Sequence, residues 1–534
     1  MKAQHLPLRD TGFVSGLICD YLEGAQGLKG FHNGPPSFEN LNRQAVQKKA
    51  AYPSDIRSSL CTVLAEQYQG VETSPKVVEY IKLLQNKTTL TVTTGHQLCL
   101  MTGPLYFIYK IISTIKLSQQ LKKKFSDFDF VPVYWMASED HDFKEISSFI
   151  FKGKKFQWNT NAGGVVGKIQ TESLTSLLDL FKKELGDGID AIELRKLIER
   201  SYESGNNLSD ATRVFVNQLF GHYGLLILDA DHRELKKYFT TIIKEDLLNH
   251  KCNQQVLNQI ELIKQNYSKA FKPQVNPREV NLFFIEEGQR SRIVKTDNGY
   301  HLEGSDKIFS VKEMIEKVDE TPEKFSPNVL LRPLYQEVIL PNIAYFGGGG
   351  ELAYWLELKS FFDSQKLLFP ILCLRNMALI IPKKSAKKIR NLKLDISDLF
   401  LKRNALINKK VRQISNIDLD LSPLKNELEI QFDQLEALIN ETDASFEGAV
   451  KAQKSKQFKG IDHLEKRLLK AQKKKLEDQV ERLVLLHEHL FPGGNLQERV
   501  ENFSTFQIEK GNDFNSILME VFDPLSKEFT FIEI

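Results

Sequence analysis

Residues 90–115 read LTVTTGHQLCLMTGPLYFIYKIISTI, and this stretch decides the fold class. Its first part, Leu90–Thr94, is short, rich in β-branched residues and bounded by Gly95, which is typical of a buried strand. After Pro104, apolar residues recur at helical spacing as far as Ile115. The stretch therefore predicts a strand, a turn and a helix in succession.

Similar signals recur along the first 382 residues. Strands that alternate with helices predict βαβ units and a mainly parallel sheet, so we expect an α/β core over residues 1–382. Two stretches with short strands and glycine signals, at about 149–220 and 275–325, predict insertions into this core. The further strand candidates are Phe130–Met136, Gly224–Leu228, Asn281–Ile285 and Leu368–Ile371.

The composition changes at residue 383, where strand signals end and Lys, Glu, Gln and Leu dominate. Apolar residues from Leu424 onward follow one another at spacings of three and four, which predicts a coiled coil over 383–490. We expect one helix over 461–490, about 45 Å long at 1.5 Å per residue.

Two glycines interrupt this helical pattern. A glycine in a helix interior costs about 1 kcal/mol, so Gly448 or Gly460 is expected to mark a bend or a hairpin tip. Residues 491–534 are predicted to return to the core and to end in a strand over 528–534.

Composition excludes several classes of protein. The chain has 534 residues, 41% of them hydrophobic, and a net charge of +3, which predicts a globular protein of two to four domains and argues against bulk polyanion binding. The five cysteines lack C-x-x-C spacing, which favours a reducing cytoplasm over a disulfide framework. No stretch has the roughly 18 apolar residues of a membrane span.

The turn after the first strand is one candidate site. Gly95 permits a tight turn, and a helix opened by Thr102-Gly103-Pro104 presents free backbone N–H groups and the positive end of its dipole. The pattern predicts an anion cradle in which His96 donates a hydrogen bond. The alternative is an ordinary strand–turn–helix junction with a well-bonded histidine.

A second candidate is SEDHDFKE at Ser138–Glu145, directly after a predicted strand. In an open parallel sheet, ligands bind beyond the carboxyl ends of the strands. Clustered acids and a histidine are too costly to bury there without a partner. We expect a general base for an ammonium group among Asp140, His141 and Asp142. Metal ligation, ribose recognition and acids that favour a helix start are the alternatives.

A third candidate joins Arg332 to the four glycines before Glu351. Consecutive glycines let the backbone approach a ligand closely, although a lone glycine run is usually a flexible loop. Arg332 is expected to hold a carboxylate or phosphate in a forked pair, and Glu351 to bind a substrate amine.

The predicted site residues fall into two groups, and no metal ligand set is predicted. The catalytic candidates are His96, Asp140, His141 and Asp142. The substrate- or nucleotide-binding candidates are Gly95, Gln97, Thr102, Gly103, Lys110, Glu139, Arg332, Gln336, Gly347, Gly348, Gly349, Glu351 and Tyr354.

These segments together resemble the bacillithiol-biosynthesis cysteine-adding enzymes, a family of cysteine ligases. The matching pieces occur in the order of that family and cover about residues 90 to 505. They are TGHQLCLMTGPLYFIYKIIS, VPVYWMASEDHDFKEI, YGLLILDAD, SPNVLLRPLYQEVILPNIAYFGGGGELAYW and FPGGNLQERVENF.

The resemblance implies a Rossmann-like parallel-sheet core with inserted connective-peptide domains and a C-terminal α-helical coiled coil that supports a homodimer. It implies a cytoplasmic enzyme that joins L-cysteine to the glucosamine nitrogen of glucosaminyl-malate, the last step of bacillithiol assembly, without nucleic acid or membrane partners. The cofactor stays open, with ATP or another nucleotide and Mg as the candidates for activating the carboxylate.

Two other classes of protein remain as alternatives. A long coiled coil on an α/β core also suits a non-catalytic scaffold that only binds nucleotide. The basic coiled-coil region suits a class I synthetase-like RNA-binding protein, but an aromatic stacking platform is missing. Acids, histidine and glycines at three strand–helix junctions favour the enzyme.

Overall fold

The computed structural model describes residues 3–160, 163–202, 206–267, 269, 271–443, 445–511 and 513–534. These residues form two compact units. The first unit comprises the chain up to Leu379 together with Gln497–Ile532. The second comprises Ile380–Leu496 with Glu533–Ile534.

A five-stranded sheet forms the centre of the first unit. All of its neighbouring strands are parallel, which confirms the predicted α/β core. Across the sheet the strands are β13 (Ile371–Leu374), β12 (Asn342–Gly347), β2 (Thr89–His96), β3 (Asp129–Met136) and β6 (Leu226–Asp229).

Helices of the first unit connect and surround these strands. Those before β3 are α1 (Leu8–Thr11), α2 (Gly16–Glu23), α3 (Phe38–Ala51), α4 (Ser54–Gln67), α5 (Pro75–Leu83) and α6 (Tyr106–Lys124). Those between β3 and β12 are α7 (Phe143–Ile146), α8 (Thr175–Glu184), α9 (Ile189–Tyr202), α10 (Leu208–Phe220), α11 (Arg233–Lys236), α12 (Thr240–Asn249), α13 (Lys251–Asn266), α14 (Val311–Glu320) and α15 (Arg332–Ile339). The remaining ones are α16 (Gly349–Leu356), α17 (Lys359–Ser364), α23 (Ser504–Lys510) and α24 (Asp513–Val521).

Strand β2 is buried along its whole length although it is rich in threonine. Two of these hydroxyl groups are satisfied inside the sheet, since Thr93 Oγ1 donates to Asn342 Oδ1 at 2.8 Å and Thr94 Oγ1 donates to the Phe346 carbonyl at 2.9 Å. The Asn342 side chain in turn donates to Glu337 Oε1 at 2.7 Å. These bonds remove the cost of burying polar groups and tie β2 to β12.

The order of the strands places a crevice at the carboxyl ends of β2 and β12. From β2 the chain proceeds through β3 and β6 on one side, whereas β12 and β13 lie on the other side. In open α/β sheets, ligands bind at such a reversal of strand order.

Strand β12 is not among the strands predicted from the sequence, and two other predicted strands lie elsewhere in the structure. The predicted strand Leu368–Ile371 lies three residues later, as β13. The predicted strand Asn281–Ile285 corresponds to a strand at 282–286 that belongs to a separate antiparallel sheet and not to the parallel one. The cause is the tight turn Glu287-Gly288, whose φ angles of 51° and 78° suit a two-residue hairpin.

The antiparallel sheet lies within the predicted insertion at 275–325. Its order is β10 (Ile308–Phe309), β9 (Gly299–Leu302), β8 (Gln289–Thr296), β7 (Leu282–Glu286) and β11 (Phe325–Pro327). A hairpin of β4 (Ser148–Phe151) and β5 (Lys154–Gln157) lies in the other predicted insertion. A last sheet consists of β1 (Ala3–Pro7), β15 (Glu528–Glu533) and β14 (Met377–Ile381).

The second unit is helical, in keeping with the predicted coiled coil. Salt bridges from Lys425 to Asp462 and from Lys454 to Glu429 show that α20 (Ser422–Ala437) and α21 (Ser445–Lys475) run antiparallel. The other helices of this unit are α18 (Lys383–Asn391), α19 (Arg403–Ile414) and α22 (Glu477–Leu490).

The prediction of one helix over 461–490 is wrong. The helix breaks at Leu476, with φ −105° and ψ 25°. Three lysines end α21 and two acids begin α22, and this charge order stabilises a helix end followed by a helix start.

The predicted bend at Gly448 or Gly460 is also wrong. Both glycines lie inside α21. The chain reverses earlier, between α20 and α21.

No helix among the described residues is long and apolar enough to cross a membrane.

The buried Asn342 network yields a test of what joins β2 to β12. Asn342→Ala leaves two threonine hydroxyls and Glu337 short of partners, so we expect a loss of about 2–4 kcal/mol in the free energy of unfolding. Chemical denaturation measures this loss. Asn258→Ala, at an exposed position of α13, is the control and is expected to change stability by less than about 0.5 kcal/mol. Equal effects of the two substitutions would contradict the role of Asn342.

Candidate active site at the carboxyl end of the central sheet

A cavity of about 610 Å³ lies at the carboxyl ends of β2, β3 and β12 in the first unit. It brings together side chains from all three sequence motifs and from the antiparallel sheet. The lining residues are Gly95, His96, Gln97, Tyr106, Lys110, Trp135, Met136, Ala137, Ser138, Glu139, Asp140, His141, Glu145, Phe283, Arg290, Pro327, Asn328, Val329, Arg332, Tyr345, Glu351 and Tyr354.

One wall of the cavity is built around an ion pair between α6 and α16. Lys110 Nζ lies 2.5 Å from Glu351 Oε2 and donates to the Gly95 carbonyl at 2.9 Å. Glu351 also accepts hydrogen bonds from the Tyr345 hydroxyl at 3.0 Å and from the Gly348 amide at 2.8 Å. Burial raises the pKa of Glu351, but the Lys110 charge and the Gly348 amide lower it more, so that the net shift is downward and the carboxylate stays ionised.

Arg332, at the start of α15, lies among aromatic rings. Its guanidinium carbon is 5.9 Å from the ring centroid of Trp135 and 5.6 Å from that of Tyr345, within the range of cation–π contact. Its Nη1 donates to Gln336 Oε1 at 3.1 Å. Within the part of the chain that the structure describes, no carboxylate forms an ion pair with Arg332. A preorganised guanidinium of this kind suits an anionic group of a ligand.

Gly95 lies close to other groups of this wall. A β-carbon at this position would lie 3.1 Å from the Tyr345 hydroxyl oxygen and 3.5 Å from Arg332 Nη1. The contact with the Tyr345 hydroxyl would be tight, whereas the one with Arg332 would be an ordinary van der Waals contact. Glycine at this position therefore leaves room for the Tyr345 hydroxyl beside the end of β2.

The opposite wall carries Asp140 and His141 after β3. Asp140 Oδ1 accepts from the His141 amide at 2.7 Å, and Oδ2 accepts from Gln97 Nε2 at 2.7 Å. Burial raises the pKa of Asp140, but these hydrogen bonds and the Arg290 charge outweigh it and lower the pKa below its ordinary value. Gln97 also donates to Glu145 Oε2 at 2.9 Å, which places a second carboxylate beside Asp140.

Arg290, on β8, fixes the state of His141. Its Nη1 lies 2.9 Å from His141 Nδ1, and since an arginine can only donate, Nδ1 accepts and the ring proton sits on Nε2. Arg290 also donates to Ser326 Oγ at 3.0 Å and lies over the Phe283 ring at 3.8 Å. The antiparallel sheet thus contributes the Arg290 guanidinium to the cavity, and these contacts fix its position.

His96 and Glu139 line the cavity but are engaged by other groups. His96 Nδ1 lies 2.8 Å from the Gln97 carbonyl, and burial, aided by the Lys110 charge, lowers the pKa of His96 to about 4. The imidazole is therefore neutral at physiological pH. Glu139 forms a buried ion pair with Lys236, which Asp231 shares.

Two residues of the strand–turn–helix motif lie away from the cavity. Thr102 and Gly103 lie outside the cavity, where Asn502 Nδ2 donates to the Gly103 carbonyl at 2.6 Å. The expected anion cradle is filled by the protein itself, since the amides of Gly103 and Leu105 donate to the carbonyls of Leu100 and Glu501. These two amides of the turn are therefore engaged within the protein.

Asp142 and Gln336 also lie outside the cavity. Asp142 is the N-cap of α7, where its Oδ1 accepts from the Glu145 amide at 3.2 Å, and it faces a neighbouring depression. Gln336 is fully buried between Arg332 and Glu337.

The glycines before Glu351 are likewise absent from the cavity lining. Gly347, Gly348 and Gly349 lie at the base of α16. Of the third motif, Arg332, Glu351 and Tyr354 line the cavity.

Several residues that line the cavity were not predicted from the sequence. Arg290 and Phe283 come from an inserted sheet, and nothing in the sequence ties that sheet to the SEDHDF segment. Trp135 lies in β3, which was predicted, and Tyr345 lies in β12, which was not. Only their aromatic character, which suits contact with the Arg332 cation, could have marked them as cavity residues.

Comparisons with known proteins agree with this architecture. Residues 1–376 match the family model described as "Bacillithiol biosynthesis BshC, N-terminal Rossmann-like domain". Residues 378–534 match the model described as "Bacillithiol biosynthesis BshC, C-terminal coiled-coil domain". Together the two matches span nearly the whole chain.

Named relatives are similar over their full length. A protein of Flavobacterium johnsoniae named "Putative cysteine ligase BshC" is 46% identical over 534 residues, which is 100% of both chains. Proteins with the same name from Christiangramia forsetii and Bacillus cereus are 47% and 28% identical and are covered to 97% and 95%. The chain belongs to the BshC family of bacillithiol biosynthesis.

Proposed function

We propose that this protein is a ligase that joins L-cysteine to the glucosamine nitrogen of glucosaminyl-malate, the last step of bacillithiol assembly. Family membership supports the ligase class over a scaffold or an RNA-binding protein. The observation that carries the substrate assignment is Arg332, a guanidinium held among rings in the cavity without an acidic partner in the described part of the chain. Glucosaminyl-malate supplies two carboxylates for such a group.

Amide formation sets two chemical requirements. A cysteine carboxylate oxygen must first form a bond to a phosphorus atom, with release of pyrophosphate or a nucleoside diphosphate, and that oxygen leaves with the AMP or phosphate group as the C–N bond forms. The glucosamine ammonium must lose a proton before its nitrogen attacks the activated carbon. A nucleoside triphosphate is the class of co-reactant that supplies such a leaving group. The chain's own part is to hold the two reactants and to accept the proton.

We assign the amine to the Asp140 side of the cavity. Asp140 and Glu145 share the Gln97 amide, and the nearest cation, Arg290 Nη1, lies 4.0 Å from Asp140 Oδ1. Glu351 suits the amine less well, because Lys110 already compensates its charge. An ammonium beside Asp140 would pass its proton to that carboxylate, a step that typically contributes about 10²–10⁴-fold to the rate.

The proposal includes a cytoplasmic homodimer that acts on small molecules, without nucleic acid or membrane. The second unit supports the dimer because it exposes large apolar side chains along its helices. These are Leu424, Ile430, Leu435, Leu464 and Leu485. A coiled-coil partner would cover such residues.

Incubation with L-cysteine and glucosaminyl-malate, with and without Mg-ATP, tests the activity. Mass spectrometry is expected to detect the condensed thiol, and the nucleotide product distinguishes adenylation (AMP) from phosphorylation (ADP). Heat-inactivated protein is the control. If neither condition yields the thiol, the proposed function is wrong.

Asp140 and Asp142 form a matched pair for testing the proton acceptor. Asp140→Asn is expected to lower kcat/KM by about 10²–10⁴-fold, because the amide cannot accept the proton. Asp142→Asn keeps a residue that caps helices well, so its kcat/KM should stay within a few-fold of wild type. Steady-state kinetics measures kcat/KM for both variants. Similar losses of kcat/KM in the two would show that Asp140 is not the proton acceptor.

Two substitutions of Arg332 test whether it binds the substrate carboxylates, one by removing its charge and one by changing only the geometry of its donors. Arg332→Gln is expected to raise KM for glucosaminyl-malate by about 10- to 100-fold, since charge-assisted hydrogen bonds contribute about 1.5–3 kcal/mol. Arg332→Lys keeps the charge but loses the forked geometry, and an intermediate KM is expected. Arg482→Gln, at an exposed site of α22, serves as the control. An unchanged KM in Arg332→Gln would rule out the contact.

A further inference from the structure

His96 has one ring nitrogen that the protein leaves without a partner. The residue is 8% exposed, and it lines the cavity of the candidate active site. Its Nδ1 lies 2.8 Å from the Gln97 carbonyl, and since a carbonyl oxygen can only accept, Nδ1 carries the ring proton. The other nitrogen, Nε2, is then an acceptor with a bare lone pair. Within the described ranges, no residue donates a hydrogen bond to it.

The imidazole ring is held in place by the protein. His96 is the last residue of β2, and the centroid of its ring lies 5.1 Å from that of Phe107, edge to face, and 5.4 Å from that of Tyr106. The hydrogen bond to the Gln97 carbonyl sets the rotation of the ring. Ordering a side chain on binding costs free energy, and an acceptor that is already positioned avoids this cost.

The surroundings of His96 disfavour a cation as the donor to Nε2. Burial, followed by the Lys110 charge, lowers the pKa of His96 to about 4, and the Arg375 charge acts in the same direction, against a smaller opposing effect of Glu351. The burial and the two positive charges that keep the imidazole neutral would also act against an ammonium group beside it. The matching donor is therefore uncharged, which leaves a thiol or a hydroxyl group.

The aromatic surface around Nε2 favours the thiol. Tyr106 lines the cavity next to His96, so a group at Nε2 lies beside the edge or face of two rings. Sulfur makes favourable contacts with aromatic rings at about 5 Å, and a thiol behaves as a small apolar group with a weak donor. A hydroxyl group has a stronger donor and two lone pairs, and leaving these unpaired on burial is costly.

We propose that His96 Nε2 accepts a hydrogen bond from the thiol of L-cysteine and so distinguishes cysteine from amino acids that lack this donor. The inference rests on the proposed ligase function, in which Arg332 and Asp140 hold glucosaminyl-malate and the His96 side of the cavity is left for cysteine. A neutral imidazole that binds protons so weakly does not take the thiol proton. Since the thiolate is the nucleophilic form, the bound sulfur does not compete with the glucosamine nitrogen for the activated carbon.

Isothermal titration calorimetry on the full chain tests this contact without turnover. The probes are L-cysteine and L-2-aminobutyrate, which carries a methyl group in place of the thiol. Wild type is expected to bind L-cysteine about three- to tenfold more tightly, because only the thiol donates to Nε2. His96→Phe keeps an aromatic ring beside Tyr106 but removes the acceptor. It should weaken binding of L-cysteine by about the same factor and leave the affinity for L-2-aminobutyrate within about twofold of wild type.

Two further variants separate the hydrogen bond from a structural role of His96. His96→Gln supplies an amide oxygen as an acceptor and should recover most of the preference for L-cysteine. His463→Phe, at an exposed position of α21, is the matched control and should bind both probes as wild type does. The proposal is overturned if wild type shows no preference for L-cysteine, or if His96→Phe weakens binding of both probes equally. Failure of the ligase function would show separately, as absence of the condensed thiol in the activity assay.

Discussion

The ion pair between Lys110 and Glu351 is the contact on which the central crevice depends. It joins α6, which follows β2, to α16, which follows β12, and Lys110 also holds the carbonyl of Gly95 at the end of β2. The two strands flank the reversal of strand order, so a single lysine links both sides of it. Lys110 is buried while Glu351 is 28% exposed, so loss of Glu351 would leave a buried ammonium group without its compensating charge. The same pair therefore serves the stability of the fold and the shape of the cavity.

The cavity contains few charges that are free to meet a reactant. Glu351 is matched by Lys110, Glu139 by Lys236, and His96 is kept neutral by burial. Arg332 on one wall has polar and aromatic neighbours, whereas on the other wall Asp140 and Glu145 lie near Arg290, which is 4.0 Å from Asp140. Two carboxylates against one cation leave an excess of negative charge on that wall, which suits two small reactants of opposite local charge.

The sequence predicted the parallel core because β2 and β3 are compact runs of β-branched and aromatic residues. It missed β12, since the segment NIAYFG begins with a buried asparagine and ends in glycine, features that read as a loop until Asn342 is seen to bond Thr93. The structure places part of the acidic segment beside the cavity, but the sequence does not determine the orientation of each side chain. Asp140 and Asp142 are two residues apart, and only the cap geometry of α7 separates them. The contribution of Arg290 could not be predicted, because no local sequence pattern indicates a contact between residues 149 positions apart.

The hairpin turn at Glu287-Gly288 has a consequence for how the cavity is completed. The strand after it carries Arg290, so one wall is delivered by a small antiparallel sheet whose own hydrogen bonds are separate from those of the parallel core. Proteins open in cooperative segments of unequal stability, and a peripheral sheet usually opens before a central one. The fraction of molecules in which the cavity is complete then depends on the least stable of these segments and not on the global unfolding equilibrium. Opening of this sheet alone would remove Arg290 from the cavity while the hydrogen bonds of the parallel core remain in place.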